Sequence, residues 1–528
     1  MKKLVIKLSF SLLAMGISNV VIGQANKEVV NWYNGKGSGM HTEQAYKKLK
    51  KKTSTTVIVA VIDSGIDIEH EDLKGKIWTN TKEIPGNKID DDKNGYVDDI
   101  HGWNFLGNAN GTNQNDARLE KTRIYARLKP KYEKMDPSEV AKADFDEYEL
   151  YKKVRKEVRE EREQYEGALQ QMEQLPQIMA MIPDLVANSL GKKDYTLKDL
   201  ENWKPADEQS KGIRQLALAM KSGELTEEVI KEQVDQLKSM VDYNLNPDFN
   251  DREFIGDDPY DFTDVKYGNS DVEGPDALHG THVGGIIGAL RGNSMGGDGV
   301  ASNVLLMSVR AVPNGDEQDK DIALAIRYAV DNGAQVINMS FGKGYSQNQR
   351  EVYEALKYAD SKGVLLVHAA GNDGANVDNT TNFPTSMYPF QTEKLDLYLT
   401  IGASTRFPKK ELAAAFSNYG ETKVDVFAPG HDIYNAVPQS SYKKLNGTSM
   451  AAPMVSGVAA MLKSYYPSLT MNQIKEVMLK SAKSYKGTQQ QKPGSEELVD
   501  FGKLSVTGGV IDVLAAVKMC NALEKQKK

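Results

Sequence analysis

Four short segments carry side chains suited to nucleophilic catalysis. Asp63 stands in Ile62-Asp63-Ser64-Gly65, directly after the β-branched run Val57–Ile62. His279 opens His279-Gly280-Thr281-His282-Val283-Gly284-Gly285. Ser449 stands in Asn446-Gly447-Thr448-Ser449-Met450-Ala451-Ala452-Pro453, and the apolar residues after it suit a buried helix. Asn372 lies in Ala369-Ala370-Gly371-Asn372-Asp373-Gly374, after another buried run. A serine hydroxyl becomes a useful nucleophile when an imidazole takes its proton and a carboxylate orients the imidazole. A serine at a helix start also faces free N–H groups that can hold an oxyanion, and a side-chain amide can share that work. Each segment has a plainer reading. Asp-Ser-Gly makes an ordinary turn, a serine before a helix is an N-cap, and asparagine tolerates turn angles. His279 and His282, three positions apart, could share a metal on one helix face, but no Cys or third His lies nearby.

The elements that would position these residues read as α/β. Val57–Ile62, Gln335–Ser340 and Val364–Val367 are short runs suited to strands buried on both faces. Between the last two and before them, Asp321–Asp331 and Gln349–Lys362 have helical periodicity. Strand, helix and strand in repetition predict a parallel sheet covered by helices, with its site beyond the carboxyl ends of the strands. All four chemical segments fall at such ends.

Taken together, these segments resemble the subtilase (subtilisin-like serine peptidase) family. His279-Gly280-Thr281-His282-Val283 and Gly447-Thr448-Ser449-Met450-Ala451-Ala452-Pro453 carry the resemblance, with support from Asp63-Ser64-Gly65 and Ala370-Gly371-Asn372. It covers about residues 50–110 and 256–515. It implies a three-layer α/β fold with a mainly parallel central sheet, and a serine endopeptidase acting on protein or peptide substrates. It implies Ser449 as nucleophile, His279 as general base and acid, Asp63 as the residue orienting His279, and Asn372 as oxyanion donor. Ser340, Phe341 and Gly342 match the edge that pairs with extended substrate, and Asn382 matches the floor of the primary specificity pocket. An ordinary imidazole pKa predicts activity rising with pH between about 6 and 7.5. A silent relative would normally lack one of these groups. A serine esterase on another α/β fold would run Ser, Asp, His rather than Asp, His, Ser.

The segment Asp90-Asp91-Asp92-Lys93-Asn94-Gly95-Tyr96-Val97-Asp98-Asp99 concentrates oxygen ligands. Asp90, Asp92, Asn94, Gly95 and Asp98 fit the first part of an EF-hand loop, but position twelve is His101 where a bidentate Glu belongs. The expectation is a structural calcium held by Asp90, Asp92, Asn94 and Asp98 in another geometry. Through the resemblance, Asp72 and Asn293 match a second, weaker calcium position.

The chain has 528 residues, 40% of them hydrophobic and 8% aromatic, enough for a large core. Its net charge of −7 does not suggest a nucleic-acid binder. Lys2, Lys3 and Lys7 followed by the apolar stretch Leu8–Ile22 read as an export signal cleaved after Gly23. The protein is expected to be secreted or periplasmic, without a stable membrane span once the signal is removed. Cys520 is the single cysteine, so no intrachain disulfide forms, and a small buried role suits it. The expected division is signal 1–23, a short segment 24–50 too small for a separate prodomain, catalytic parts 51–112 and 256–528, and a charged helical insertion 113–255. Within the insertion, Tyr148, Tyr151, Val154, Val158, Tyr165, Leu169 and Met172 form one apolar stripe, and Thr226 caps a second helix with Leu225 and Ile230 as a staple. Its return just before His279 predicts packing beside the cleft, with no catalytic group supplied.

Overall fold

The computed structural model describes residues 27–526, so the expected signal segment lies outside the described residues. These residues form two compact units, one helical from Lys121 to Phe249 and one holding the chain up to Glu120 and from Asn250 onward.

The larger unit is built on a sheet. In chain order its strands are β1 Val57–Asp63, β2 Gly102–Asn104, β3 Val304–Arg310, β4 Val336–Met339, β5 Leu365–Ala369, β6 Tyr398–Ser404 and β7 Val426–Pro429. A hairpin, β8 Ile433–Val437 and β9 Ser441–Leu445, follows outside the sheet. Then come β10 Lys483–Ser484, a separate antiparallel pair of β11 Gln489–Gln491 and β12 Leu498–Asp500, and β13 Gly509–Val510. The sheet order is β10-β13-β7-β6-β5-β4-β1-β3-β2, parallel throughout except for β10 against β13.

Alternation along β1 explains its central place. Val57, Val59 and Val61 face one hydrophobic cluster, and Ala60 and Ile62 face the other. All five are at most 1% exposed, so neither face meets water. Each fully buried Val or Ile is worth about 1.5–3 kcal/mol relative to exposure. On the first face lie the helix Leu278–Gly288, which carries His279, and the helix Thr448–Tyr465, which carries Ser449. The helices Asp319–Asp331 and Gln349–Ser361 cover the second. The result is the expected three-layer α/β arrangement.

The chain passes from β1 to β3 on one side, then to β4 on the other. Strand order therefore reverses at β1, and a crevice opens at the carboxyl ends there. Two glycines set its geometry. Gly65 has φ +119°, and a Cβ there would sit 2.1 Å from the Glu273 carbonyl oxygen. A Cβ on Gly280 would sit 2.1 Å from the Gly65 carbonyl oxygen. The histidine helix thus rests directly on the turn after Asp63, which offsets the cost of about 1 kcal/mol for an interior glycine.

The helical unit contains Phe145–Leu190, 46 residues that run on through Pro176 and Pro183. An interior proline ordinarily costs about 3 kcal/mol. Leu175, Ile178, Ile182 and Val186, all at most 4% exposed, bury the same helix in one cluster with Ile213, Leu216, Ile230 and Leu237. That packing keeps the helix continuous. Thr226 Oγ1 accepts a hydrogen bond from Val229 N at 3.2 Å, and Leu225 and Ile230 are buried together as the staple required.

Candidate active site

Asp63 is the last residue of β1, and its side chain is 2% exposed. Its Oδ1 accepts hydrogen bonds from His279 Nδ1 at 2.7 Å and from the Ser64 N–H at 2.8 Å. Its Oδ2 is buried without a hydrogen-bond partner. With Nδ1 donating to the carboxylate, the lone pair of His279 sits on Nε2, the nitrogen a general base needs. Burial pulls the His279 pKa down, but the charge and hydrogen bond of Asp63 outweigh it, and Asp276 adds to them. The ring is left above its ordinary value. His282, one turn on, is set apart from this pair. Its Nε2 lies 3.1 Å from the Ile433 carbonyl and 3.2 Å from that of Lys443, and burial lowers its pKa to about 3. It is a neutral donor clamping the β8–β9 hairpin, so the two histidines do not converge on a metal.

Ser449 is the second residue of its helix and is half-buried. Its hydroxyl donates to the Ser340 carbonyl oxygen at 3.2 Å, and its own carbonyl accepts from Ser340 Oγ at 2.9 Å. Among the described hydrogen bonds none joins Ser449 Oγ to His279. Two buried residues lie behind this exchange. Asn338 Nδ2 donates to Ser340 Oγ at 2.9 Å, and Ser456 Oγ donates to Asn338 Oδ1 at 2.8 Å. Neither was singled out from the sequence. The signal available was polarity within an apolar strand and an apolar helix.

Asn372 follows β5. Its Oδ1 accepts from the Thr448 N–H at 2.8 Å and from Thr448 Oγ1 at 3.0 Å, which turns Nδ2 the other way. A Cβ on Gly447 would lie 3.5 Å from Ser449 N and 3.6 Å from Asn372 Nδ2, so both donors border one small space that glycine leaves open. Asn418, also missed, braces this loop. Its Nδ2 donates to Ala370 O at 2.9 Å, and its Oδ1 accepts from Asp373 N at 3.0 Å and Ala375 N at 2.8 Å.

A cleft of about 300 Å³ runs beside the Asp63–His279 pair. Its lining includes Ser340, Phe341 and Gly342 and a second segment, Val312, Pro313, Asn314, Gly315 and Glu317. Asn382 is not among its lining residues. It donates Nδ2 to Ala369 O at 3.1 Å, and its side-chain oxygen stands 2.5 Å from where a Gly342 Cβ would be.

In the acidic loop three carboxylates converge. Carboxylate oxygens of Asp90, Asp92 and Glu83 lie within 4.8 Å of one another. Glu83, seven positions before Asp90, was not anticipated. Asn94 and Asp98 are engaged in hydrogen bonds of the loop just as these three are, since Asp90 accepts the Asn94 and Gly95 N–H groups at 3.0 and 2.8 Å and Glu83 those of Asp92 and Asp98 at 3.0 and 3.2 Å. Asn94 gives Nδ2 to Asp99 at 3.1 Å and spends Oδ1 on the Tyr96 N–H at 2.8 Å, while Asp98 accepts the Gly86 and Lys88 N–H groups, both at 2.9 Å. At the second position Asn293 donates Nδ2 to Asp72 Oδ1 at 2.6 Å and accepts from Met295 N at 3.1 Å, and Asp72 Oδ2 is buried without a hydrogen-bond partner.

The profile of the Subtilase family matches residues 54–502. The chain belongs to the subtilase family. It is 40% identical over 225 residues to the thermophilic serine proteinase of Bacillus sp. (strain AK1), covering 42% of this chain and 50% of that protein. It is 35% identical over 206 residues to subtilisin DY of Bacillus licheniformis, covering 39% and 70% respectively. A thermostable alkaline protease of Halalkalibacterium halodurans is 38% identical over 199 residues, covering 38% and 50%. This subtilase therefore spans half the length of the first and third of these relatives. Its family is one of serine-type endopeptidases. All four residues discussed above lie in the sheet unit.

Proposed function

We propose that this chain is an exported endopeptidase that hydrolyses peptide bonds of proteins through Asp63, His279 and Ser449. The observation that carries the reading is the 2.7 Å bond from His279 Nδ1 to Asp63, which leaves Nε2 as base at the mouth of a cleft. Substrate lies along Ser340–Gly342 as an added strand. A turn of the Ser449 side chain exchanges its bond to Ser340 for one to His279 Nε2. The nitrogen takes the hydroxyl proton as Oγ bonds to the carbonyl carbon. The oxyanion is held by the Ser449 N–H and Asn372 Nδ2. The C–N bond then breaks, and the proton passes from Nε2 to the leaving amine. Water repeats the sequence: its proton goes to Nε2, its oxygen attacks the acyl carbon, and Ser449 recovers the proton. A fluorophosphonate is expected to label Ser449 alone. Labelling elsewhere, with Ser449 unmodified, would sink the assignment.

Because His279 must be neutral to accept a proton, kcat/KM is expected to rise with pH through an apparent value above the ordinary imidazole value of about 6.5. The measurement is a pH profile on a small chromogenic peptide. A profile that is flat or falls over that range would contradict the role of His279.

Export is part of the proposal. It rests on the basic and apolar start of the chain, and no helix among the described residues is long and apolar enough to cross a membrane. Cleavage after Gly23 would leave Gln24 as the first residue of the exported protein.

We also assign a calcium ion to Glu83, Asp90 and Asp92. Three converging carboxylates without sulfur or imidazole suit a hard cation. When bound, calcium would supply charge balance and a cross-link within the loop, with no role in bond breaking. A ligand taken up only by the folded state raises stability by about 2.7 kcal/mol at a hundred times its Kd. EGTA is expected to lower the melting temperature by several degrees, with recovery on adding calcium but not magnesium. Superimposable melting curves would remove the ion from the loop.

A further inference from the structure

Lys343 is 4% exposed and stands at a crossing of four segments. It directly follows Gly342, the end of the proposed substrate edge. Its main chain exchanges both hydrogen bonds with Phe383, N to O at 3.0 Å and O from N at 2.9 Å, which fixes the edge against the segment carrying Asn382. Its ammonium reaches the other way. Nζ lies 2.9 Å from Glu120 Oε2, 2.8 Å from Asp319 Oδ1 and 2.7 Å from the Glu317 carbonyl, so three acceptors meet its three N–H donors. Asp319 heads the helix Asp319–Asp331, and Glu317 lines the same cleft as Ser340–Gly342. Burial pushes the Glu317 carboxyl upward, and it is the backbone carbonyl of Glu317 that meets the ammonium.

Glu120 is the fourth segment. It is 2% exposed, and it opens the helix Glu120–Tyr132 by which the chain leaves the sheet unit. Its N–H donates to Asp316 Oδ2 at 2.7 Å, and its Oε1 accepts from Gln347 Nε2 at 2.7 Å. Just before it, Asn115 O accepts from Asn314 N at 2.8 Å and Ala117 N donates to Asn314 O at 3.0 Å, so the outgoing chain is laced to the cleft wall. Arg118 pairs with Asp251 at 2.7 Å, tying the outgoing chain to the returning one.

We propose that Glu120 and Lys343 are a positioning pair that holds two cleft-lining segments, Ser340–Gly342 and Val312–Glu317, at a fixed separation. The proposal rests on the endopeptidase reading above. Neither residue is a catalytic group. Their effect falls on substrates long enough to be gripped by both segments, because a short ester engages only Ser449 and its neighbours.

The test compares Glu120→Gln, Glu120→Asp and Lys343→Met with the wild-type chain on an extended chromogenic peptide and on a small acyl-amino-acid ester. Enzyme concentrations are set by fluorophosphonate titration, so misfolded protein is not counted. Glu120→Gln loses a charge-assisted hydrogen bond and is expected to raise KM for the extended peptide about ten-fold, with kcat and ester hydrolysis within two-fold of wild type. Glu120→Asp, which keeps the charge, should recover most of the KM. Lys343→Met should move the same KM further, and if it yields no titratable enzyme, the two Glu120 variants decide. A Glu120→Gln enzyme whose peptide and ester constants change in step, or do not change, overturns the proposal and leaves the pair a fold-stabilising contact. A failed endopeptidase reading shows itself differently, as a folded wild-type chain that takes up no fluorophosphonate, and would sink both.

Discussion

Ser449→Ala is expected to lose about 10⁶-fold in kcat while melting within a few degrees of the wild-type protein. The scale is the one on which a subtilisin loses activity when its nucleophile is removed, and is not calculated from the present geometry. The structural cost is small because the Ser449 hydroxyl makes one hydrogen bond, to Ser340 O at 3.2 Å. A neutral hydrogen bond of that kind is worth about 0.5–1.5 kcal/mol net. The backbone N–H of residue 449 and Asn372 Nδ2 remain, so a residual acceleration over water of about 10³–10⁴ should persist. The measurement pairs hydrolysis of a chromogenic peptide with thermal denaturation of the same sample. A folded variant that retains a tenth or more of wild-type activity would remove Ser449 from the mechanism.

The groups proposed for the chemistry were legible because each sits in a short local pattern. A turn after a β-branched strand, a glycine-rich helix start and a serine before an apolar helix need only neighbours in sequence. β1 was legible for the same reason, since an unbroken β-branched run has little choice but a strand buried on both faces. What holds these pieces in register was not legible. Asn338 reaches Ser456 across 118 positions, and nothing near either residue announces the other. Lys343 and Glu120 are 223 positions apart, and only the fold shows that they are buried together.

The acidic loop and the long helix illustrate two other limits. Spacing within Asp90–Asp99 offers only ligands from that segment. The loop's own N–H groups are satisfied throughout it, by Asp90 and Glu83 as well as by Asp98 and Asn94. The carboxylate that joins Asp90 and Asp92 is Glu83, which the repeat in sequence does not contain. In the helical unit, Pro176 and Pro183 are local stop signals, and a local reading would end the helix there. Burial of Leu175, Ile178, Ile182 and Val186 along one face overrides them, a tertiary effect no window of neighbours includes.

Asp63→Asn is expected to lower kcat/KM at neutral pH, by less than the loss of about 10⁴-fold seen where such an amide forces the imidazole into the wrong tautomer. The geometry distinguishes two causes. An asparagine could turn its Nδ2 toward His279, forcing the proton onto Nε2 and leaving no base. Here, however, the His279 Nδ1–H and the Ser64 N–H converge on the same oxygen, Oδ1. An amide that kept its oxygen there would satisfy both donors and place Nδ2 where Oδ2 now has no hydrogen-bond partner. The reverse orientation would set Nδ2 against the Ser64 N–H, two donors face to face. The ring should therefore keep its tautomer and lose only the carboxylate charge. That charge and its hydrogen bond outweigh the lowering by burial in the wild-type protein, so removing the charge lets the imidazole pKa fall. The residual activity of Asp63→Asn should accordingly rise with pH through a lower value than in the wild type and level off sooner. A variant that lost activity but kept the wild-type acid limb would show that Asp63 does not set the His279 pKa. Residual activity that grew only at high pH, where hydroxide could replace the base, would show that the tautomer had flipped after all.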